Sequence, residues 1–347
     1  MRGLALRWLA CSWAAGSLLL CGIASGHAAE PERVKFDTFD QVEIHGTYFA
    51  GDLGNKSPCA LLLHPLGGSS REEGWDSLAK ELQKKHFAVL LFDFRGHGES
   101  TAVGTNFWLL DRSNQTLRGY RPGKPKDQIS YKDFTTPQNW LSLVNDIEAA
   151  KRFLDRKNDS GECNSANVVL VGAESSAALG AMWIAWEWNH TRRSNTFPPV
   201  AANRNLPEGQ DIACAIWLSF SPHIAVDRTK ITLHPDSWLA VAGREHKVPM
   251  CFLYGEHDSK AKTYALHVYD NILHAAKDKK LKLTVKVPIK DTKLAGRELL
   301  GKPSLNAEEL IMTYVSKVLE ERGSNPWIKR DVERTLLVRV PIEGYLR

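Results

Sequence analysis

The chain has 347 residues, of which 43% are hydrophobic and 24% charged, and its formal net charge at pH 7 is +5. The basic residues are dispersed, with no long lysine or arginine run and no basic stretch interleaved with aromatics. This pattern argues against a nucleic-acid-binding surface. We therefore expect no nucleic acid among the partners of this protein.

The N-terminus has the layout of a secretory signal peptide, which we assign to residues 1–28. Two arginines precede an apolar run, Trp8–Ile23, and Gly26 and Ala28 supply the small side chains that a signal peptidase reads. An uncleaved membrane anchor is the alternative. Cleavage predicts a secreted or periplasmic protein with no stable membrane insertion, and loss of the two arginines lowers its net charge from +5 to +3. We expect a monomer.

Four cysteines remain in the mature chain: Cys59, Cys163, Cys214 and Cys251. No two of them, taken with any nearby histidine, have the spacing of zinc ligands, so we predict neither a metal nor another cofactor. Cys214 and Cys251 fall inside apolar segments and are expected to be buried thiols.

From residue 34 onward, short apolar runs alternate with helical patterns. An antiparallel opening pair is predicted over 34–51, and buried strands are predicted in CALLLHP, AVLLFDF, NVVLVG, ACAIWLSF, VPMCFLYG and LTVKVP. Apolar residues recur at helical spacing over 75–82 and 143–154. This alternation predicts an α/β fold, in which helices cover both faces of a mostly parallel sheet, as one domain over 29–323.

Two regions lie outside this alternation of strands and helices. The polar stretch 101–137 is rich in Gly, Pro and Lys; we predict a lid above the carboxyl ends of the strands, or else a surface insertion. A last helix is predicted from Asn306, with Glu309 completing a capping box, to a stop at Gly323, covering the far edge of the sheet. The tail 324–347 receives no assignment.

Three motifs in this order resemble those of the α/β-hydrolase family. LLLHPLGGSS is similar to the loop after the third strand, whose amide at Leu66 would serve the oxyanion hole. LLFDFRGHGES resembles the Asp-x-Arg-Gly-x-Gly-x-Ser turn, and NVVLVGAESSAALG resembles the strand, turn and helix of the nucleophile elbow. The resemblance covers roughly Val34 to Glu320 and implies a doubly wound, mostly parallel sheet of eight strands.

The catalytic positions depart from the family pattern. The resemblance places Glu174 where the family has its nucleophile, and Ser175 next to it, where a backbone amide completes the oxyanion hole. Asp258, in the segment LYGEHDSKA, matches the acid of the triad. The best match to the histidine is Ala295, and no histidine occurs after His274. The resemblance therefore implies a degenerate triad of Glu174, Asp258 and Ala295.

Alternatives to this interpretation stay open at the level of sequence. A one-residue shift would bring Ser175 to the tip of the elbow, and a solvated or capping carboxylate would explain Asp258 equally well. Displaced bases could come from five histidines, each of which has a structural explanation as well: His64, His97, His223, His234 and His257.

A serine or carboxylate nucleophile needs a base to complete turnover, so loss of both nucleophile and histidine favours a pseudo-hydrolase. We expect a catalytically inactive protein that binds an unknown small molecule or protein. The competing hypothesis is an active esterase or peptidase that uses Ser175 or Glu174 with a displaced histidine.

Two finer expectations follow from the resemblance. The Glu174 carboxylate either folds back onto the amide of Leu66 or Ser175, blocking the oxyanion hole, or points to solvent or to a basic residue such as Lys293 or Arg297. The family also makes the strands that follow Cys59 and Cys163 neighbours, which leaves two alternatives open for these cysteines, a disulfide or two free thiols.

Overall fold

The computed structural model describes residues 29–196, 199, 207–227, 229–274 and 281–345. The signal peptide predicted for residues 1–28 lies outside this range. The described part of the chain contains ten strands: β1 (Glu32–Asp37), β2 (Glu43–Phe49), β3 (Pro58–Leu63), β4 (Ala88–Phe92), β5 (Asn164–Ala173), β6 (Ile212–Leu218), β7 (His223–Val226), β8 (Thr229–Thr232), β9 (Met250–Gly255) and β10 (Val285–Ile289).

Eight of these strands form one sheet in the order β1-β2-β4-β3-β5-β6-β9-β10. Strand β2 runs antiparallel to β1 and to β4, and the remaining neighbours pair in parallel. The predicted eight-stranded, mostly parallel sheet is confirmed, and each predicted strand segment contributes to it. Strands β7 and β8 form a separate antiparallel hairpin that the sequence analysis did not anticipate.

Helices cover both faces of the sheet, as the sequence predicts. They are α1 (Trp75–Lys84), α2 (Phe107–Leu110), α3 (Pro137–Leu141), α4 (Val144–Asp159), α5 (Ser175–Trp188), α6 (Asp236–Leu239), α7 (Ser259–His267) and α8 (Ala307–Arg322). Alternate side chains of β3 divide between two apolar layers, because successive residues of a strand point to opposite faces. Leu61 and Leu63 pack with α4 and α5, whereas Leu62 packs with α1 and α8.

Helix α8 corrects two details of the prediction. Asn306 does precede the helix and Gly323 does end it, but Asn306 has the left-handed conformation (φ 49°) and its side chain makes no capping hydrogen bond. The predicted capping box is therefore wrong. The helix also packs against α1 and β6 rather than covering the far edge of the sheet, which is β10.

The tail lies along α4 as far as it is described. The Asp159 carboxylate accepts hydrogen bonds from the amides of Arg330 (2.5 Å) and Val332 (2.9 Å). The Arg152 guanidinium donates to the carbonyl of Val332 (2.8 Å), and the Arg330 guanidinium pairs with the buried Asp211 carboxylate at 2.8 Å. These contacts fasten the tail to the body of the domain.

The stretch 101–137 is folded against the sheet. Phe107 and Trp108 of α2 are buried in the apolar layer, and the Tyr131 ring stacks on His97 at 4.8 Å. The role of this stretch as a lid stays a prediction.

Of the two alternatives for Cys59 and Cys163, the structure has the free thiols: all four cysteines of the described chain are buried and unbonded. A hydrogen bond with Cys59, together with burial, holds the pKa of the Cys163 thiol well above its ordinary value. None of the helices in the described ranges is long and apolar enough to cross a bilayer.

Candidate functional site

The turn between β5 and α5 has the geometry of a nucleophile elbow, and Glu174 is its tip. Glu174 has φ 53° and ψ −123°, a conformation that non-glycine residues rarely adopt and that persists only where neighbouring structure holds it. Ser176 supplies part of that support, since its hydroxyl donates to the carbonyl of Leu63 at 2.9 Å. Ser175 is the first residue of α5, so the register that would bring it to the tip is not the one adopted.

The elbow opens into a cleft of about 990 Å³. All five residues that the sequence singled out line this cleft: Leu66, Glu174, Ser175, Asp258 and Ala295. The remaining described lining comes from 219–225, which includes the start of the β7–β8 hairpin, and from 259–267 in α7; none comes from 101–137. The residues singled out by the sequence analysis therefore lie in one cleft, and their catalytic roles stay predictions. The sequence analysis missed the two segments that form the cleft walls.

The Glu174 side chain lies against Gly296, the residue after Ala295. A Cβ atom added to Gly296, which has φ 53°, would collide with the Glu174 carboxylate. Within the described chain the carboxylate makes no hydrogen bond, so it does not fold back onto the amide of Leu66 or Ser175 as one expectation held. It has no ion pair with a described residue either, because Arg297 pairs instead with Glu72 at 2.5 Å.

The electrostatic surroundings of Glu174 are negative. Burial raises the pKa of its carboxyl group, and the carboxylates of Glu298, Asp258 and Glu72 raise it further, against the lowering effect of Arg297. The amides of Leu66 and Ser175 make no hydrogen bond with described residues, and no described cation pairs with the Glu174 carboxylate. The role of these amides as an oxyanion hole stays a prediction.

Asp258 follows β9 and caps the helix that begins with Ser259. One of its carboxylate oxygens accepts a hydrogen bond from the amide of Ala261 at 3.1 Å. This capping bond accounts for the residue structurally, and it also fixes the carboxylate at the wall of the cleft. Its role as the acid of a triad stays a prediction.

Two of the candidate histidines, His64 and His97, are buried structural groups. Nδ1 of His64 donates to the carbonyl of Pro65 (2.8 Å), and Nε2 accepts from the amide of Phe94 (3.1 Å). His97 accepts from the amide of Gly67 at 2.9 Å, and burial lowers its pKa to about 3. Both rings stay neutral and fix the loop that carries Leu66, so neither is a free base.

Two histidines line the cleft itself, His223 and His267. Nδ1 of His223 lies 3.1 Å from the hydroxyl of Thr232. His267, which the sequence analysis did not consider, contacts the carboxylate of Asp236 through Nε2 (3.0 Å) and the side chain of Asn271 through Nδ1 (3.2 Å). In the helix after Asp258, His267 lies four residues after Thr263 and three after Tyr264, so all three are on one helical face. That spacing is the sequence signal that could have identified His267. The described lining includes neither His234 nor His257.

Comparison with known proteins agrees with this architecture. A family model described as the alpha/beta hydrolase fold matches residues 60–159. Two uncharacterized proteins of Mycobacterium tuberculosis, one from strain CDC 1551 and one from strain H37Rv, are 29% identical over 120 residues. That match spans about a third of the length of each relative and 34% of this chain.

Solved structures extend the likeness over most of the chain. An esterase of Pyrococcus furiosus has a TM-score of 0.52 at 12% identity, covering 84% of this chain and 91% of its own. The alpha/beta hydrolase GrgF of Penicillium sp. sh18 has a TM-score of 0.52 at 11% identity, covering 84% and 99%. At such identities the likeness concerns the fold alone. The family match over residues 60–159 and the sheet order together show that this chain has the α/β-hydrolase fold.

Proposed function

We propose that this protein is a catalytically inactive hydrolase homologue that is exported and binds a small molecule or a partner in its cleft. The observation that supports inactivity most directly is the glutamate at the tip of the elbow, with Ala295 across the cleft where a histidine would be needed. Export is supported by the layout of residues 1–28.

The chemistry of the cleft agrees with this proposal. A serine attacks only when a base removes its proton, and no histidine of the described chain hydrogen-bonds to Glu174, Ser175 or Asp258. A Glu174 nucleophile would also stall at its ester, because no base is placed to activate water. Loss of nucleophile or base alone costs on the order of 10⁶ in turnover in a serine hydrolase.

A second candidate function is an active esterase or peptidase that uses Ser175 or Glu174 with a displaced histidine. The observation that favours it is the presence of His223 and His267 in the same cleft. Both ring nitrogens of His267 have protein contacts, so this function requires its side chain to rearrange.

Reaction with a fluorophosphonate probe distinguishes the two functions. We expect the purified protein to show no labelling above that of a Ser175→Ala variant, because Ser175 has no base within hydrogen-bond reach. Intact-mass spectrometry measures the adduct. Labelling of Ser175 that approaches one probe per chain would overturn the inactive assignment and support the displaced histidine.

Export has a separate test. Expressed with its leader in a cell that has a secretory pathway, the protein is expected to reach the secreted or periplasmic fraction with Ala29 as its first residue. N-terminal sequencing of the protein from that fraction identifies its first residue. A protein that stays in the cytoplasm with Met1 or Arg2 at its start would contradict export.

A further inference from the structure

The floor of the cleft holds three side-chain groups whose hydrogen-bonding capacity is unused. The Ser219 hydroxyl is buried and has no hydrogen-bond partner within the described residues. The half-buried Glu174 carboxylate and the Ser175 hydroxyl beside it make no hydrogen bond with described residues either. Buried polar groups are nearly always hydrogen-bonded, because leaving one unpaired costs about 1–3 kcal/mol. Such groups gathered in one cleft indicate a ligand that pairs with them.

The backbone brings these three groups to the same place. The amide of Glu174 donates to the carbonyl of Leu218 (2.9 Å), and the amide of Ser221 donates to the carbonyl of Glu174 (3.2 Å). Ser219 therefore sits in a segment that is hydrogen-bonded to the elbow, and its own φ of 49° shows how tightly the chain turns there. Ser175 is the residue after Glu174.

The negative charge around Glu174 favours a positively charged ligand. The carboxylates of Asp258, Glu298 and Glu72 act electrostatically on Glu174, against one guanidinium, Arg297, which is already paired with Glu72. The lining also contains Lys260, but this side chain is exposed and has no ion pair within the described residues. An uncompensated carboxylate and two free hydroxyls can accept three hydrogen bonds, and an ammonium group donates three.

Part of the cleft wall is apolar and aromatic. The Phe220 ring stacks on Tyr264 with centroids 5.3 Å apart, and Ala225 and Ala295 line the cleft beside them. Ala295 contributes only a methyl group to this lining and so occupies less of the cleft than a histidine would. A ligand with an apolar body fits this space, because burial of its surface contributes roughly 25 cal/mol per Å².

We propose that the cleft binds an amine, a primary ammonium compound with an apolar or aromatic body. Its ammonium group donates to the Glu174 carboxylate and to the hydroxyls of Ser175 and Ser219, and its body lies against Phe220 and Tyr264. This inference rests on the proposed function, since it assigns to Glu174 a binding role that replaces a catalytic one.

Calorimetric titration with three matched compounds tests this inference: 2-phenylethylamine, the neutral 2-phenylethanol and the anionic 3-phenylpropanoate. We expect the amine to bind at least tenfold more tightly than the alcohol, and the carboxylate more weakly than either. Glu174→Gln should weaken amine binding at least tenfold and leave alcohol binding unchanged. Glu309→Gln, an equal charge change at an exposed site on α8, is the matched control and should alter neither.

Equal affinity for amine and alcohol, or an unchanged preference in Glu174→Gln, would overturn the amine assignment. If that variant does not fold, Ser219→Ala takes its place; we expect it to weaken amine binding at least threefold, and an unaltered affinity would count equally against the assignment. If the amine assignment is wrong, the proposed function as an inactive hydrolase homologue still holds, and its ligand is neutral or anionic. Probe labelling at Ser175 would instead remove the proposed function itself.

Discussion

Glu174→Ser combined with Ala295→His is expected to create esterase activity toward an activated ester such as 4-nitrophenyl acetate. The elbow already holds its tip at φ 53°, the amides of Leu66 and Ser175 are open, and Asp258 lines the same cleft. The two substitutions supply the nucleophile and the base that are missing. We expect the double variant to exceed the unaltered protein by on the order of 10²–10³ in initial rate, a part of the roughly 10⁶ that a complete triad contributes.

Either substitution alone should do little. Serine at position 174 without a base remains protonated and unreactive, and histidine at position 295 without a nucleophile has no proton to remove. Residues that act as a unit show strongly non-additive effects, so the gain of the double variant should be far greater than the product of the two single gains. Initial rates of the four proteins, measured side by side, give this comparison directly.

A third substitution tests the part played by Asp258. In the double variant, Asp258→Asn should remove most of the gain, because the histidine loses the group that orients it and stabilises its charged form. Glu309→Gln in the same background serves as the control. If the double variant folds and is no faster than either single variant, the capping bond from Asp258 to Ala261 holds the acid away from a catalytic position.

The sheet and the elbow could be predicted because their signals are local. Runs such as ALLL and VVLV specify buried parallel strands by composition alone, and the small residues Ser176 and Ala177 are what a helix needs to approach a strand closely. A Cβ atom on Gly172 would lie 2.9 Å from the Cα of Ala177, which shows how close that approach is. The identity of the tip residue is implied by the alignment of this segment with the elbow of the α/β-hydrolase family.

The features that could not be predicted from the sequence depend on contacts between segments that are distant along the chain. Strands β7 and β8 have four residues each, too few for a clear periodic pattern, yet β7 lines the cleft with His223 and Ala225. The direction of the Glu174 side chain is set by the approach of Gly296, more than a hundred residues away in the sequence. The bonding state of Cys59 and Cys163 could not be decided from the sequence for a similar reason, since neighbouring strands bring the two thiols close without requiring a bond between them.

Arg95→Met is expected to destabilise the fold severely. The guanidinium is 2% exposed; it donates to the carboxylate of Asp146 (2.7 Å) through Nε and to that of Asp40 (2.8 and 3.0 Å) through its two terminal nitrogens. Its loss leaves two buried carboxylates without their cation, for which about 3–5 kcal/mol is the usual cost. Because Asn114 of the stretch 101–137 also donates to Asp40 (3.0 Å), this part of the chain should loosen with it.

The pH dependence of the defect follows from the two acids. For Asp40, the positive charge of Arg95, together with hydrogen bonds from Arg95, Thr38 and Asn114, outweighs burial and holds the pKa below its ordinary value. For Asp146, burial dominates and raises the pKa to about 6. Ionised Asp40 therefore stabilises the native protein at pH values above the pKa that this group has in the unfolded chain. Asp146 has the opposite effect: its group ionises in the unfolded chain at a lower pH than in the native protein, so the free energy of unfolding falls as the pH rises toward 6. Without the arginine both acids are stable only when protonated, so the defect should be larger at pH 7 than at pH 5.

Urea unfolding of the two proteins at pH 7 and pH 5 measures both effects. Arg156→Met is the control, because Arg156 forms an exposed ion pair with Glu333 (3.4 Å) and such pairs contribute about 0–1 kcal/mol. Adding Asp146→Asn to Arg95→Met should recover part of the loss at pH 7 by removing one of the two uncompensated charges. A defect in Arg95→Met no larger than that of Arg156→Met would show that the three buried charges do not stabilise the fold, and a defect independent of pH would show that it arises from lost packing rather than from charge.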